Sequence, residues 1–122
     1  MTKFSSSVIA ITDASSFSLS DLNLSNPIVQ NGVDQYVVMF TMSWCHYCQQ
    51  YIETYNKFAN LMPKIQFLYV EGTTSPDIIT GLNNVMFPKY EIKGYPTLII
   101  YNSDGTFYKE VKDRYKLDAE LN

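Results

Sequence analysis

The sequence predicts an α/β domain in which helices cover both sides of a mixed β-sheet, in the order β-α-β-α-β-α-β-β-α. Three observations carry this prediction. A continuously apolar run, Tyr36-Val37-Val38-Met39-Phe40-Thr41-Met42, reads as a strand buried on both faces and therefore central in the sheet. Cys48, Tyr51, Ile52, Tyr55, Ala59 and Met62 then recur at helical spacing before a second β-rich run, Ile65 to Val70, so a helix of crossover length joins two parallel strands. Towards the C terminus, Thr97 to Tyr101 and Thr106 to Val111 flank Asn102-Ser103-Asp104-Gly105, the signature of an antiparallel hairpin.

The remaining elements follow in order. Residues 1–7 read as a flexible polar tail, and residues 8–122 as one domain opening with a short strand, Val8 to Ile11. Thr12 or Asp13 then caps a helical turn through Phe17 to Leu22. Asn26-Pro27 and Asn31-Gly32 break regular structure and place residues 25–35 in a loop. Pro63 ends the helix that starts near Cys45. Ser75-Pro76-Asp77 supplies a capping hydroxyl, a proline at the first helical position and an acid in the first turn, so a further helix starts there and ends before Pro88. Leu117 to Leu121 forms one or two turns of a final helix.

Composition narrows the function. With 122 residues, 46% hydrophobic and 17% charged, the chain suits a single packed core. The formal net charge is −3 and Lys and Arg are not clustered, which argues against a nucleic-acid partner. No apolar run approaches the roughly 20 residues needed to cross a bilayer. Val8 to Ile11 is too short for the apolar part of a secretory signal and is closed by Asp13, so the expected location is cytoplasmic; the lumen of the endoplasmic reticulum is expected if a leader has been trimmed.

The two cysteines, Cys45 and Cys48, stand three positions apart. So small a loop removes little entropy from the unfolded chain, which points to reactivity rather than stapling. At a helix N terminus, unpaired backbone N–H groups and the helix dipole favour a Cys45 thiolate, the nucleophile of thiol–disulfide exchange. His46 sits beside it as a further source of positive charge. Cys48, one turn on, is placed to resolve a mixed disulfide on Cys45. A Cys-x-x-Cys pair also serves as half of a metal site, but His46 is the only histidine and a four-ligand set is not in view. No cofactor is expected. Tyr51, Tyr55 and Phe58 follow at helical spacing and read as core or boundary packing rather than a substrate surface.

At Ser43-Trp44-Cys45-His46-Tyr47-Cys48, together with Lys93-Gly94-Tyr95-Pro96-Thr97, the chain resembles the thioredoxin superfamily, and most of all a catalytic domain of the protein disulfide isomerase type. The resemblance covers about residues 8–121. It implies a thioredoxin fold and a thiol–disulfide oxidoreductase acting on protein thiols and disulfides, recharged by a redox partner. It further implies that Pro96 is cis and faces the cysteines, and that Trp44, Tyr47, Tyr95 and Pro96 border the substrate groove. Arg114 matches a family arginine that approaches the active site and tunes proton transfer; a solvated surface arginine is the alternative reading.

Departures from the pattern qualify the activity. The family buries a carboxylate six positions before the first cysteine, where this chain has Met39, so proton transfer from Cys48 must use water, His46 or nothing. That favours an alternative function as a binding or adaptor module with weak or no redox turnover. Glu53 replaces a kink-forming proline, which predicts a straighter helix. Tyr47, second between the cysteines, is similar to glutaredoxins and raises glutathione-dependent thiol transfer as a third class. The final helix is short for the fold, so either it is truncated or another subunit covers the exposed sheet.

Overall fold

Strand β4 (Gln35–Thr41) is the axis of the molecule, and all seven of its residues are buried. The computed structural model describes residues 3–18, 23–25, 28–85 and 92–122. Around β4 lie β1 (Val8–Ala10), β5 (Ile65–Glu71), β6 (Thr97–Asn102) and β7 (Phe107–Glu110), in the order β1-β5-β4-β6-β7. β1 and β4 run parallel to β5, whereas β6 is antiparallel to both β4 and β7. The sheet is therefore mixed, and the apolar run that marked its centre in the sequence is its middle strand.

Alternation along β4 splits the core into two layers. Tyr36, Val38 and Phe40 pack with Leu68, Val70, Ile99 and Tyr101 against Ile78 and Ile79 of helix α2 (Pro76–Val85). Val37 and Met39 pack with Phe67, Leu98 and Ile100 against helix α1 (His46–Leu61) and Leu117 of helix α3 (Leu117–Glu120). Helix α1 buries Cys48, Tyr51, Ile52, Tyr55 and Ala59, close to the stripe predicted from spacing, and Pro63 follows its C-cap, Met62. It runs unbroken over 16 residues, with Glu53 exposed where a kinking proline is usual. The hydroxyl of Tyr55 lies 2.7 Å from the Leu68 carbonyl and 3.0 Å from the Val37 carbonyl, tying α1 to β5 and β4 at full burial.

The predicted first helix is corrected to a single 3-10 turn, Ala14–Ser16, capped by Asp13, whose side chain accepts a hydrogen bond from the Ser15 N–H. Serines compete with a helix for backbone hydrogen bonds. The chain instead enters a two-stranded ribbon of β2 (Phe17–Ser18) and β3 (Asn23–Leu24), with Phe17 opposite Leu24 in the core. This ribbon closes on the β6–β7 hairpin: the Leu24 N–H donates to the Gly105 carbonyl at 2.8 Å. Gly105 has φ +88°, and a Cβ there would come within 2.5 Å of Val29 Cγ2 and 2.8 Å of the Leu24 oxygen, so both conformation and space require glycine. Leu22, Asn26-Pro27 and Pro88, used above to place a helix end and a loop, lie outside the described residues.

Residues 3–7, read from sequence as tail, lie against α1 and β5. The Ser5 N–H donates to Asn56 Oδ1 at 2.9 Å, Asn56 Nδ2 donates to the Lys3 carbonyl at 2.8 Å, and Phe4 stacks on Tyr69 with ring centroids 3.8 Å apart. Helix α3 is one turn long and follows a 3-10 turn, Arg114–Lys116. Among the described residues no helix is long and apolar enough to cross a membrane.

Candidate active site

Both cysteines lie at the C-terminal end of the central strand, where open α/β sheets place their sites. Strand β4 ends at Thr41, the Cys45 N–H donates to the Met42 carbonyl at 3.1 Å, and α1 begins at His46. Cys45 is the N-cap of the helix, in extended backbone conformation, and its sulfur accepts the Cys48 N–H at 3.2 Å. This is the position that serine or aspartate usually fills, because a helix start offers donors with no internal partner. A thiolate on Cys45 therefore gains a backbone hydrogen bond and the positive end of the dipole of a 16-residue helix.

Neither thiol is widely exposed: both are free, Cys45 is 4% accessible and Cys48 is fully buried. The Cys45 thiol also donates to the Tyr95 carbonyl at 3.5 Å. Ionisation gives up this contact and keeps the one from the Cys48 N–H. Cys48 is pushed up to about 11, first by burial and then by its hydrogen bond to Cys45; the Thr41 side chain and the Met42 backbone pull weakly the other way. The two sulfurs are thus unequal, one set at a helix start and the other held protonated.

The site residues named from sequence separate into groups. The Tyr95–Pro96 peptide bond is cis, and the Tyr95 carbonyl faces Cys45, so this loop lies directly against the motif. Trp44 is 71% exposed and meets Tyr95 edge to face at 6.0 Å, which makes an apolar rim beside Cys45. Tyr47 is 63% exposed and its ring lies 6.2 Å from that of His46. The His46 ring is exposed, with Nε2 3.1 Å from Gln50 Nε2 one turn along α1, and no hydrogen bond joins it to either sulfur among the described residues. Arg114 is half-buried on the 3-10 turn before α3. Its guanidinium lies over the rings of Tyr51, at 5.7 Å, and Tyr115, at 5.3 Å, while its carbonyl accepts from the buried Tyr51 hydroxyl. Arg114 thus reaches the residue one turn after Cys48.

Met39, six positions before Cys45, is fully buried in the same apolar layer as both cysteines. Sequence reasoning missed three polar residues, Thr41, Gln49 and Glu71. Thr41 and Glu71 are register partners across β4 and β5, on the α1 face of the sheet. With Gln49, which follows Cys48, they line a cleft of about 350 Å³. The signal was present in the strand pattern, since Thr41 shares the side of β4 that carries Val37 and Met39, but the pairing of β5 was needed to bring Glu71 there. Among the described residues, no three or more His, Cys, Asp and Glu side chains converge as metal ligands.

A thioredoxin family model matches residues 17–121 of this chain. Among curated proteins, the chain is 34% identical over 74 residues to 5′-adenylylsulfate reductase-like 3 of Oryza sativa subsp. japonica, covering 60% of this chain and 21% of that protein. It is 27% identical over 108 residues to human protein disulfide-isomerase A4, covering 84% of this chain and 15% of that protein. The chain thus spans about a fifth or less of the length of these relatives. Mitochondrial thioredoxin 3 of Saccharomyces cerevisiae, in its oxidised form, has a similar fold, with a TM-score of 0.66 at 21% identity, covering 94% of this chain and 93% of that one.

Proposed function

The chain belongs to the thioredoxin family, and from that premise we propose that it is a thiol–disulfide oxidoreductase acting on protein substrates, with Cys45 as nucleophile and Cys48 as resolving thiol. The observation that carries the reading is the inequality of the two sulfurs. Cys45, 4% exposed, caps α1 beside an exposed aromatic rim, whereas Cys48 is fully buried and held protonated.

In the reducing direction, the Cys45 thiolate attacks one sulfur of a substrate disulfide. A Cys45–substrate disulfide forms, the substrate S–S bond breaks, and the departing thiolate takes a proton from solvent. Cys48, once deprotonated, attacks the Cys45 sulfur; the Cys45–Cys48 disulfide forms and the second substrate thiolate leaves. Two electrons have passed to the substrate, and a dithiol partner returns them. The reverse sequence oxidises a substrate dithiol, so the direction follows the potential of the couple against its surroundings. Trp44, Tyr95 and Pro96 supply an apolar edge on which an extended peptide beside the scissile disulfide rests. Tyr47, exposed between the two cysteines, adds a further aromatic surface to that edge.

A second reading, a binding module with little turnover, is favoured by Met39, which leaves no carboxylate at the position six before Cys45. A Cys48→Ser chain separates the two. Under the oxidoreductase reading it accumulates mixed disulfides through Cys45 when offered protein disulfides or a cell extract, seen as reducible bands on non-reducing gels. Under the module reading it binds partners without covalent capture, and absence of any adduct ends the proposal.

A further inference from the structure

Resolution needs the Cys48 proton removed, and with a thiol pushed up to about 11 only about one molecule in 10⁴ carries the thiolate at neutral pH. Burial, the largest cause, persists when Cys45 is bonded to substrate. Three residues that line one cleft each carry a buried polar atom with no hydrogen-bond partner: Thr41 Oγ1, Gln49 Oε1 and Glu71 Oε1. Buried polar groups without partners are rare, and several around one cavity are the mark of a hydrated site. Thr41 is 2% exposed, and its hydroxyl lies near enough to the Cys48 thiol to favour the anion, although it completes no hydrogen bond. Glu71 is fixed by its other oxygen, Oε2, which accepts from the Thr74 N–H at 2.7 Å and the Thr74 hydroxyl at 2.9 Å. Burial alone acts to raise its carboxyl, but the hydrogen bonds from Thr74 and Thr73 outweigh it and hold Glu71 below its ordinary value, hence ionised at neutral pH. Phe4, Ile52 and Tyr69 close the cleft on its apolar side, and the exposed Lys3 and Ser43 border its mouth.

We infer that water held in this cleft between Thr41, Gln49 and Glu71 carries the Cys48 proton to solvent, replacing the carboxylate that Met39 lacks. The inference rests on the oxidoreductase reading above. One water accepts from the Thr41 hydroxyl and donates to Glu71 Oε1 and Gln49 Oε1, which satisfies all three atoms at once. The step requires the Cys48 thiol and the Thr41 hydroxyl to close into a hydrogen bond; the Cys48 S–H bond then breaks as its proton passes to Thr41 Oγ1, the Thr41 proton passes to the water, and a water proton leaves through the mouth. No electrons move in this step, and Cys48 is left as the attacking thiolate. Thr41 is a catalytic residue in this route and Glu71 a positioning one. The titratable groups facing the path are Cys45 from the cap, Tyr95 from the loop before β6, Glu71 and Tyr69 from β5, and Lys3 from the N-terminal segment.

Stopped-flow reaction with dithiobis(nitrobenzoic acid) tests this, because attack by Cys45 and resolution by Cys48 each release one coloured thionitrobenzoate. Between pH 6 and 10, Thr41→Val should leave the first phase unchanged and slow the second by about tenfold or more at neutral pH, within the range of general acid–base effects. Its deficit should shrink as hydroxide takes over at high pH, and Thr41→Ser should restore the wild-type profile. Glu71→Gln adds a test of sign that does not depend on Thr41→Val folding. If Glu71 acted only through its charge, neutralising it would ease Cys48 ionisation and speed resolution, whereas the relay requires slower resolution. Second phases within twofold of wild type in both variants would overturn the relay alone, while a wild-type chain with no first phase would overturn the oxidoreductase reading itself.

Discussion

The outer and inner sides of the first turn of α1 are built from opposite materials. Outside, Trp44 and Tyr47 stand in solvent and Cys45 sits at their base on a helix start. Inside, Cys48, Tyr51 and Tyr55 are fully buried against Met39 and Phe67, and burial raises the thiol and both phenols above their ordinary values. The contrast teaches that two identical side chains three residues apart are assigned different chemistry by helix phase alone. Position at the cap gives one sulfur the Cys48 N–H and the positive end of the helix dipole, whereas the other sulfur, within the first turn, is fully buried and pushed up by that burial.

The sharpest break in this contrast is to remove each sulfur in turn. Cys45→Ser should abolish covalent reaction with protein disulfides, and Cys48→Ser should keep the attack but lose resolution, so adducts persist; mass spectrometry of the trapped species reads both. Next in size is the inner scaffold. Tyr55→Ala should destabilise the fold by about 3–5 kcal/mol through cavity formation, whereas Tyr55→Phe should cost about 1 kcal/mol for its hydroxyl bonds; denaturant midpoints measure these values.

A subtler effect of the inner side is on pH dependence. The folded state holds the Cys48 proton to about 11, while the unfolded thiol releases it near 9.0. The folded state therefore binds more protons across that window, and the Cys48 contribution to stability, fully present below about pH 9, is lost as pH rises towards 11. Reduced wild type should lose stability there relative to Cys48→Ala, and parallel curves would show that Cys48 is not held protonated. The smallest expected effect on the fold lies outside: Trp44→Ala should change stability by no more than about 0.5 kcal/mol. It should lower turnover on protein disulfides more than on a small aromatic disulfide. Equal losses on both would remove Trp44 from the substrate groove.

Much of the scaffold was legible because its signals are local. The run 36–42 lacks alternation, which marks a strand covered on both faces, and the Cys48 to Ala59 spacing fixes the buried stripe of α1. The N-terminal region was harder. Of the two cap candidates, Thr12 and Asp13, the structure uses Asp13, but the strand pairing of Phe17 with Leu24 depends on the hairpin at Gly105, far away in sequence. Phe4 looked like part of a tail because nothing nearby shows that Tyr69 waits to stack on it. At the site, the cysteines and the Tyr95-Pro96 loop were visible as motifs. The Thr41, Gln49 and Glu71 cleft was not, since it exists only once the register of β4 against β5 and the phase of α1 are both set.

The most direct measurement is equilibration of the wild-type chain with glutathione buffers, followed by quantification of free thiols and identification of the oxidised species. The proposed function predicts a two-electron transition to an intramolecular Cys45–Cys48 disulfide, at a potential between about −270 mV, typical of reductases, and about −120 mV, typical of strong oxidants. Thiols that stay reduced across this range, or that end as separate glutathione adducts with no Cys45–Cys48 bond, would contradict it.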